Sequence, residues 1–187
     1  MMTMPRRILM LGSVLLATSC TSPSPVLYTL AVVPGAEHPG GPRQIEVRSI
    51  ALARYLERSQ IVRSSEDYRL DVLGNDWWGE PLDAMIGRVL TQSLAHRLPG
   101  STVYNANGAI SATPDATVAV NVQRLDQDHS GAVVLVAQIG IHRKGDMTRG
   151  VTIRVMPSAA GTPGLVAAMS DAVGKLADDI AGMLTVR

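Results

Sequence analysis

Two carboxylates and an imidazole fall within the run Asp126-Gln127-Asp128-His129, and that combination on a tight loop is the chain's best candidate for holding a cation. The run lacks the turn glycine and distal glutamate of a calcium loop, and no second histidine motif accompanies it, so it is expected to be a solvated hairpin turn. His38 lies among prolines and glycines, His96 on the polar side of a helical stretch, and His142 at the end of a strand-like run. They are not at ligand spacing. Nucleophilic catalysis would need a serine or cysteine beside a base, yet the sequence has no G-x-S-x-G elbow. Gly40-Gly41 precedes a strand-like run and not a helix start, which removes the usual phosphate cradle. Asp83 and Asp178-Asp179 are expected on solvated helix faces, and Lys144-Gly145-Asp146 in a turn. The expectation is a non-catalytic protein, with no catalytic residues, no metal site and no cofactor.

The single cysteine, Cys20, suits a different chemistry. Residues 1–20 read MMTMPRRILMLGSVLLATSC, in which Arg6-Arg7 precede a ten-residue apolar stretch from Ile8 to Ala17. Ten helical residues rise only ~15 Å, half of a ~30 Å hydrocarbon core, so the stretch suits a signal peptide and not a spanning helix. Leu16-Ala17-Thr18-Ser19-Cys20 resembles the bacterial lipobox, whose cysteine is acylated, palmitate included, and becomes the first mature residue. Acyl chains contribute ~0.8 kcal/mol per buried CH₂, and the chains of such a lipoprotein anchor it stably. Thr21 stands where an aspartate would be the usual inner-membrane retention signal, so the expected destination is the periplasmic face of the outer membrane. The expected organisation is a lipoprotein signal peptide over 1–19, an acylated cysteine and short tether over 20–25, and a single domain over 26–187.

That domain has the composition of a folded one. Apolar residues make up 46% and charged residues 18%, which excludes wholesale disorder and a multi-span membrane protein. Lys plus Arg number 17 and Asp plus Glu 16, a balance too even for a nucleic-acid footprint. Phe is absent, so Val, Leu, Ile, Ala and Met must build the core.

Val26 to Leu30 reads as a first strand, Pro34 to Pro42 as a loop, and Ile45 and Val47 as the inward positions of a second strand. Ala51 to Arg58 suggests a helical turn, Ile61-Val62 a short apolar pair, and Tyr68 to Val72 a short strand closed by the turn Gly74-Asn75-Asp76. Leu82, Met85, Ile86, Val89, Leu90 and Leu94 recur at helical steps and predict a helix over 81–98, with Pro81 at its first turn and Pro99-Gly100 as its stop. Thr117 to Leu125, Ala132 to Ile141 and Val151 to Met156 alternate as three antiparallel strands do. Leu165, Met169, Val173, Leu176, Ile180 and Met183 predict a second long helix over 163–184. The pattern predicts an α+β fold, a mainly antiparallel sheet with two long helices packed on one face.

Ala53-Arg54-Tyr55-Leu56-Glu57-Arg58-Ser59-Gln60-Ile61-Val62, followed by Trp78-Gly79-Glu80-Pro81-Leu82 and preceded by Tyr28-Thr29-Leu30, resembles the PqiC-like family of ABC-type transport auxiliary lipoproteins, membrane integrity-associated transporter subunits. The family pattern is a "YLxRxQIV" segment before a "W-A-E-P-L" helix start. Ala53 stands where the family often has proline, and Gly79 where it often has alanine. The resemblance implies a subunit of an envelope lipid-transport system, partnered by an MCE-domain protein that spans the periplasm and by ABC-type or permease inner-membrane components. It also implies a homo-oligomer, contact with phospholipid, and a role in outer-membrane integrity. Two other readings compete with it: an outer-membrane scaffold for cell-wall or secretion components, and a small periplasmic hydrolase.

Adjacent tryptophans point to opposite sides of an extended chain, so Trp78 is assigned to the core and Trp77 to the surface as a partner or lipid contact. Glu80 and Pro81 form a structural helix start, where a carboxylate is favoured by ~0.3–1 kcal/mol. Tyr55, Arg58 and Gln60 are expected to pair with Glu80 or with a neighbouring protomer, beside Trp77 at an interface.

Overall fold

The computed structural model describes residues 24–66, 68–110 and 112–186; the signal-peptide residues and Cys20 lie outside them. Among the described residues two α-helices and two sheets form the expected α+β fold. The larger sheet is ordered β6 (Thr102–Asn105), β2 (Gln44–Val47), β7 (Ala116–Gln127), β8 (Val133–His142), β9 (Asp146–Val155), with β3 (Ala51–Leu52) also paired to β7. The smaller sheet is ordered β1 (Val26–Tyr28), β5 (Arg69–Trp78), β4 (Gln60–Glu66). The long pairings β7 with β8, β8 with β9 and β4 with β5 are antiparallel, whereas β1, β2, β3 and β6 join their neighbours in parallel.

Alternation along the meander selects its core face. Val118, Val120 and Val122 of β7 and Leu135, Ala137, Ile139 and Ile141 of β8 are buried under the helices. Helix α1 (Leu82–Arg97) buries all six apolar positions of its predicted stripe, and α2 (Gly161–Thr185) does the same with Leu165, Met169, Val173, Leu176, Ile180 and Met183. Helix α2 begins at Gly161, two residues before the expected Pro163, and Gly161 takes a left-handed backbone, φ 78°, where the connection from β9 enters the helix. Gly164 leaves room for that connection, since a Cβ there would lie 1.9 Å from the carbonyl oxygen of Ala159.

The predicted turn at Gly74-Asn75-Asp76 does not form. These residues continue β5 to Trp78 because Val26 pairs opposite Asp76 and Tyr28 opposite Trp78, and because Thr162 Oγ1 donates to Asp76 Oδ2 at 2.7 Å. Local turn preference yields to a strand partner and a helix start.

Residues 29–43 cross the helices as an extended strap. Its amides donate to Met85 Sδ (Leu30 N, 3.0 Å) and Ser170 Oγ (Ala31 N, 3.1 Å), and Val33 lies where a Cβ on Gly174 would approach to 3.0 Å. The strap is locked by Arg97, whose side chain is 1% exposed. Its guanidinium donates through Nε to Asp178 Oδ1 at 2.5 Å, through Nη1 to the Val33 and Ser93 carbonyls, and through Nη2 to the Gly174 carbonyl at 3.0 Å. A Cβ on Gly35 would fall 2.1 Å from Nη2, so glycine is what lets the strap close over the charge. Asp178, expected on a solvated helix face, is therefore the partner of a buried cation.

Candidate functional site

A cleft of about 620 Å³ opens where β3, the 3-10 turn Arg54–Leu56, the end of β5 and the start of α1 converge. Three backbone bonds set its walls: Ala53 N to the Val122 carbonyl (2.9 Å), Trp78 N to the Ser59 carbonyl (2.7 Å) and Gly79 N to the Tyr28 carbonyl (2.8 Å). Leu52, Trp78 and Leu82 supply apolar lining, while Glu57, Arg58, Glu80 and Asp83 supply charge. Trp78 is only 7% exposed and packs with the core; Trp77 is half-buried, and its Nε1 donates to the Gly74 carbonyl at 3.0 Å.

Glu80 does not pair with Tyr55, Arg58 or Gln60. It accepts from Arg88 Nη2 at 2.6 Å and Nε at 3.1 Å, which ties the start of α1 to its second turn, and the same Nη2 reaches Thr29 Oγ1 of the strap. Pro81 caps the helix in an extended conformation with ψ 132°, as a residue without an N–H can at no cost in hydrogen bonds. Arg58 is exposed at the cleft, held by its Nε donating to the Tyr55 carbonyl at 3.1 Å, and Gln60 sits opposite Trp77 in the β4–β5 ladder. The structure thus brings Arg58, Trp78, Glu80 and Pro81 to one cavity, and Tyr55, Gln60 and Trp77 are not part of its lining. An apolar floor with a charged rim can take an extended peptide segment, one side chain in the floor and its charges against Arg58 or Asp83.

Tyr55 instead donates its hydroxyl to Asp126 Oδ2 at 2.7 Å, joined there by Ser64 Oγ at 3.0 Å and Arg124 Nη2 at 2.9 Å on Oδ1. Burial first, then the hydrogen bond and charge of Asp126, push the phenol well above its ordinary 10.0. The expected solvated turn at 126–129 is therefore corrected: Asp126 and Asp128 are both buried, and Asp126 joins the 3-10 turn, β4 and β7. Sequence reasoning missed this network because its two hydroxyls, on Ser64 and Tyr55, are 62 and 71 residues from Asp126. Among the described residues no group of three His, Cys, Asp or Glu could hold a metal ion.

Asp128 accepts from Ser130 N and Oγ, from Ala132 N, and from Arg154 Nη2 at 2.5 Å. Burial alone would raise its carboxyl, but the bonds from Ser130, Ala132 and Arg154 outweigh it and hold the group below its ordinary 3.8. A depressed folded-state pKa gives stability that is complete above the unfolded value and is lost as pH falls through the folded one. Asp128→Asn should flatten the loss of stability on acidification below the ordinary carboxylate range, as urea midpoints measured at successively lower pH would show.

Residues 28–181 match a protein family described as an ABC-type transport auxiliary lipoprotein component. No curated protein matches the chain. A solved structure titled as that of an uncharacterized protein aligns with a TM-score of 0.74 at 20% identity, covering 86% of this chain and 99% of that one. A protein of the DUF330 family from Xanthomonas campestris aligns with a TM-score of 0.69 at 17% identity, covering 84% of this chain and 93% of its own. At these identities the likeness is one of fold.

Proposed function

Because the chain belongs to the family of ABC-type transport auxiliary lipoprotein components, we propose that it is a non-catalytic, lipid-anchored subunit of a bacterial envelope lipid-transport system. Cys20 carries the acyl anchor at the periplasmic face of the outer membrane, and the single domain over 26–187 works as a homo-oligomer that binds the periplasm-spanning MCE component and so supports outer-membrane integrity. The observation that carries this reading is a convergence. The two stretches that resemble the family pattern, 53–62 and 78–82, are separated in sequence yet line one cleft through Arg58 and Ser59 on one side and Trp78 to Leu82 on the other. Little in the stability of the fold requires an exposed arginine there, whereas a docking partner with an acidic group would use it.

Affinity purification of the tagged full chain from detergent-solubilised envelopes, with mass spectrometry of proteins and lipids, tests the reading. Wild type should recover an MCE-domain protein, and Cys20→Ala should not. Arg58→Glu should cut that recovery about tenfold, the equivalent of ~1.4 kcal/mol, while shifting unfolding by less than ~0.5 kcal/mol. Recovery of cell-wall or secretion proteins in its place would favour the scaffold reading.

A further inference from the structure

Exposed apolar side chains gather at the end of the fold from which residue 26 leads back toward Cys20. Val26 is 49% and Leu27 64% exposed, although adjacent residues of a strand point to opposite sides and one of them would ordinarily be covered. Met156, at the close of β9, is 66% exposed. Asp76 ties these segments together, pairing with Val26 in the ladder and accepting from Thr162 in the first turn of α2, only a short connection beyond Met156. A small cavity lined by Leu73, Pro157 and Thr162 seats that connection against β5.

The strap fixes which end this is. From the end of β1 it runs beside α2, meeting Ser170, Gly174 and then, through Arg97, Asp178, so β1 with Val26 lies at the N-terminal end of that helix. The turn at Arg143 and Gly145 lies at the opposite end, where Arg143 Nη1 donates to the carbonyl of Leu184. Ten-residue strands separate the two ends by ~30 Å.

We propose that this end of the fold, Val26, Leu27 and Met156, is a membrane-contact surface that rests on the lipid bilayer. The inference depends on acylation of Cys20. Six residues of chain span at most ~20 Å, so an acyl group on Cys20 keeps Val26 within that distance of the lipid. Three apolar side chains held there lose water by dipping into the boundary of headgroups and acyl chains, a layer ~5–10 Å deep. Acylation with a short tether then orients the domain as well as retaining it, with the Arg143 turn directed away from the membrane.

Spin labels on full-length, acylated Leu27→Cys, Met156→Cys and Lys144→Cys variants in phosphatidylethanolamine and phosphatidylglycerol vesicles test this. Flotation first shows whether the chain is anchored. Oxygen and aqueous nickel-chelate accessibility then reports depth. Labels at 27 and 156 should sit in the interface, ~5–10 Å deep, with the label at 144 fully aqueous. Floated protein whose three labels are equally aqueous overturns the contact surface and leaves the anchor standing. Labels at 156 broadened by coupling between copies, without lipid contact, assign the patch to a second copy and overturn it too. Failure of wild type to float overturns the anchor, and with it the inference.

Discussion

Asp178→Ala should destabilise the protein by about 3–5 kcal/mol in urea unfolding, and by more than Arg97→Met does. The asymmetry follows from where the two charges sit: the Arg97 side chain is 1% exposed and that of Asp178 43%. Removing the aspartate leaves a guanidinium that cannot lose its proton, shut away from water with only neutral carbonyls of Val33, Ser93 and Gly174 to face. Removing the arginine leaves a carboxylate that water can reach. What Arg97→Met forfeits is the donor to Val33 and the clamp on the strap, about 1–3 kcal/mol, partly offset by a methionine of similar length packing in the core. The double variant should therefore be more stable than Asp178→Ala alone. If Arg97→Met proved the costlier change, the bonds to the strap, and not the compensation of a buried charge, would be what this arginine supplies.

Arg97 also shows where the sequence stops being legible. Both helices were readable because their apolar residues repeat at three and four positions, and the β7 to β9 meander because Val118, Val120 and Val122 and their counterparts alternate. An arginine in a last helical turn looks the same whether it faces water or is enclosed, and its partners Val33 and Asp178 lie 64 and 81 residues away. Strand β6 offers only Val103 and Tyr104, too short a run for any period to be recognised, and forms because β2 presents a parallel edge to it. Asn75 and Asp76 carry turn preferences that β1 overrides. For the cleft, the residue types at 58, 78, 80 and 81 were visible, but the partner of Glu80 was not: Arg88 reads as one more polar residue on α1 until the fold turns it back to the helix start. Patterning reports which face is buried; it carries no information on which distant polar groups meet behind that face.

The same limit concealed the junction between the two sheets, and there the second large effect is expected. Asp126→Ala should cost about 3 kcal/mol, because it strips the acceptor from two hydroxyls, Tyr55 and Ser64, at ~1–3 kcal/mol for each group left unsatisfied, and from Arg124. The loss should not be spread evenly. Ser64 belongs to β4, Asp126 to β7, and Tyr55 to the 3-10 turn, so amides of β4 and β5 should lose more hydrogen-exchange protection than those of β8, whose ladder with β9 is untouched. Asp126→Asn keeps the shape and one acceptor and should cost less, yet without the charge the Tyr55 phenol should titrate closer to its ordinary 10.0, a shift visible in ultraviolet absorbance. Because Arg58 Nε bonds to the Tyr55 carbonyl, a loosened Tyr55 also frees the wall that presents Arg58 to the cleft. Asp126→Ala should therefore weaken recovery of the MCE-domain partner although Asp126 lies outside the cleft. Equal loss of protection in β5 and β8 would mean that the two sheets unfold as one unit, and that this carboxylate stabilises the whole fold without specifically holding the site.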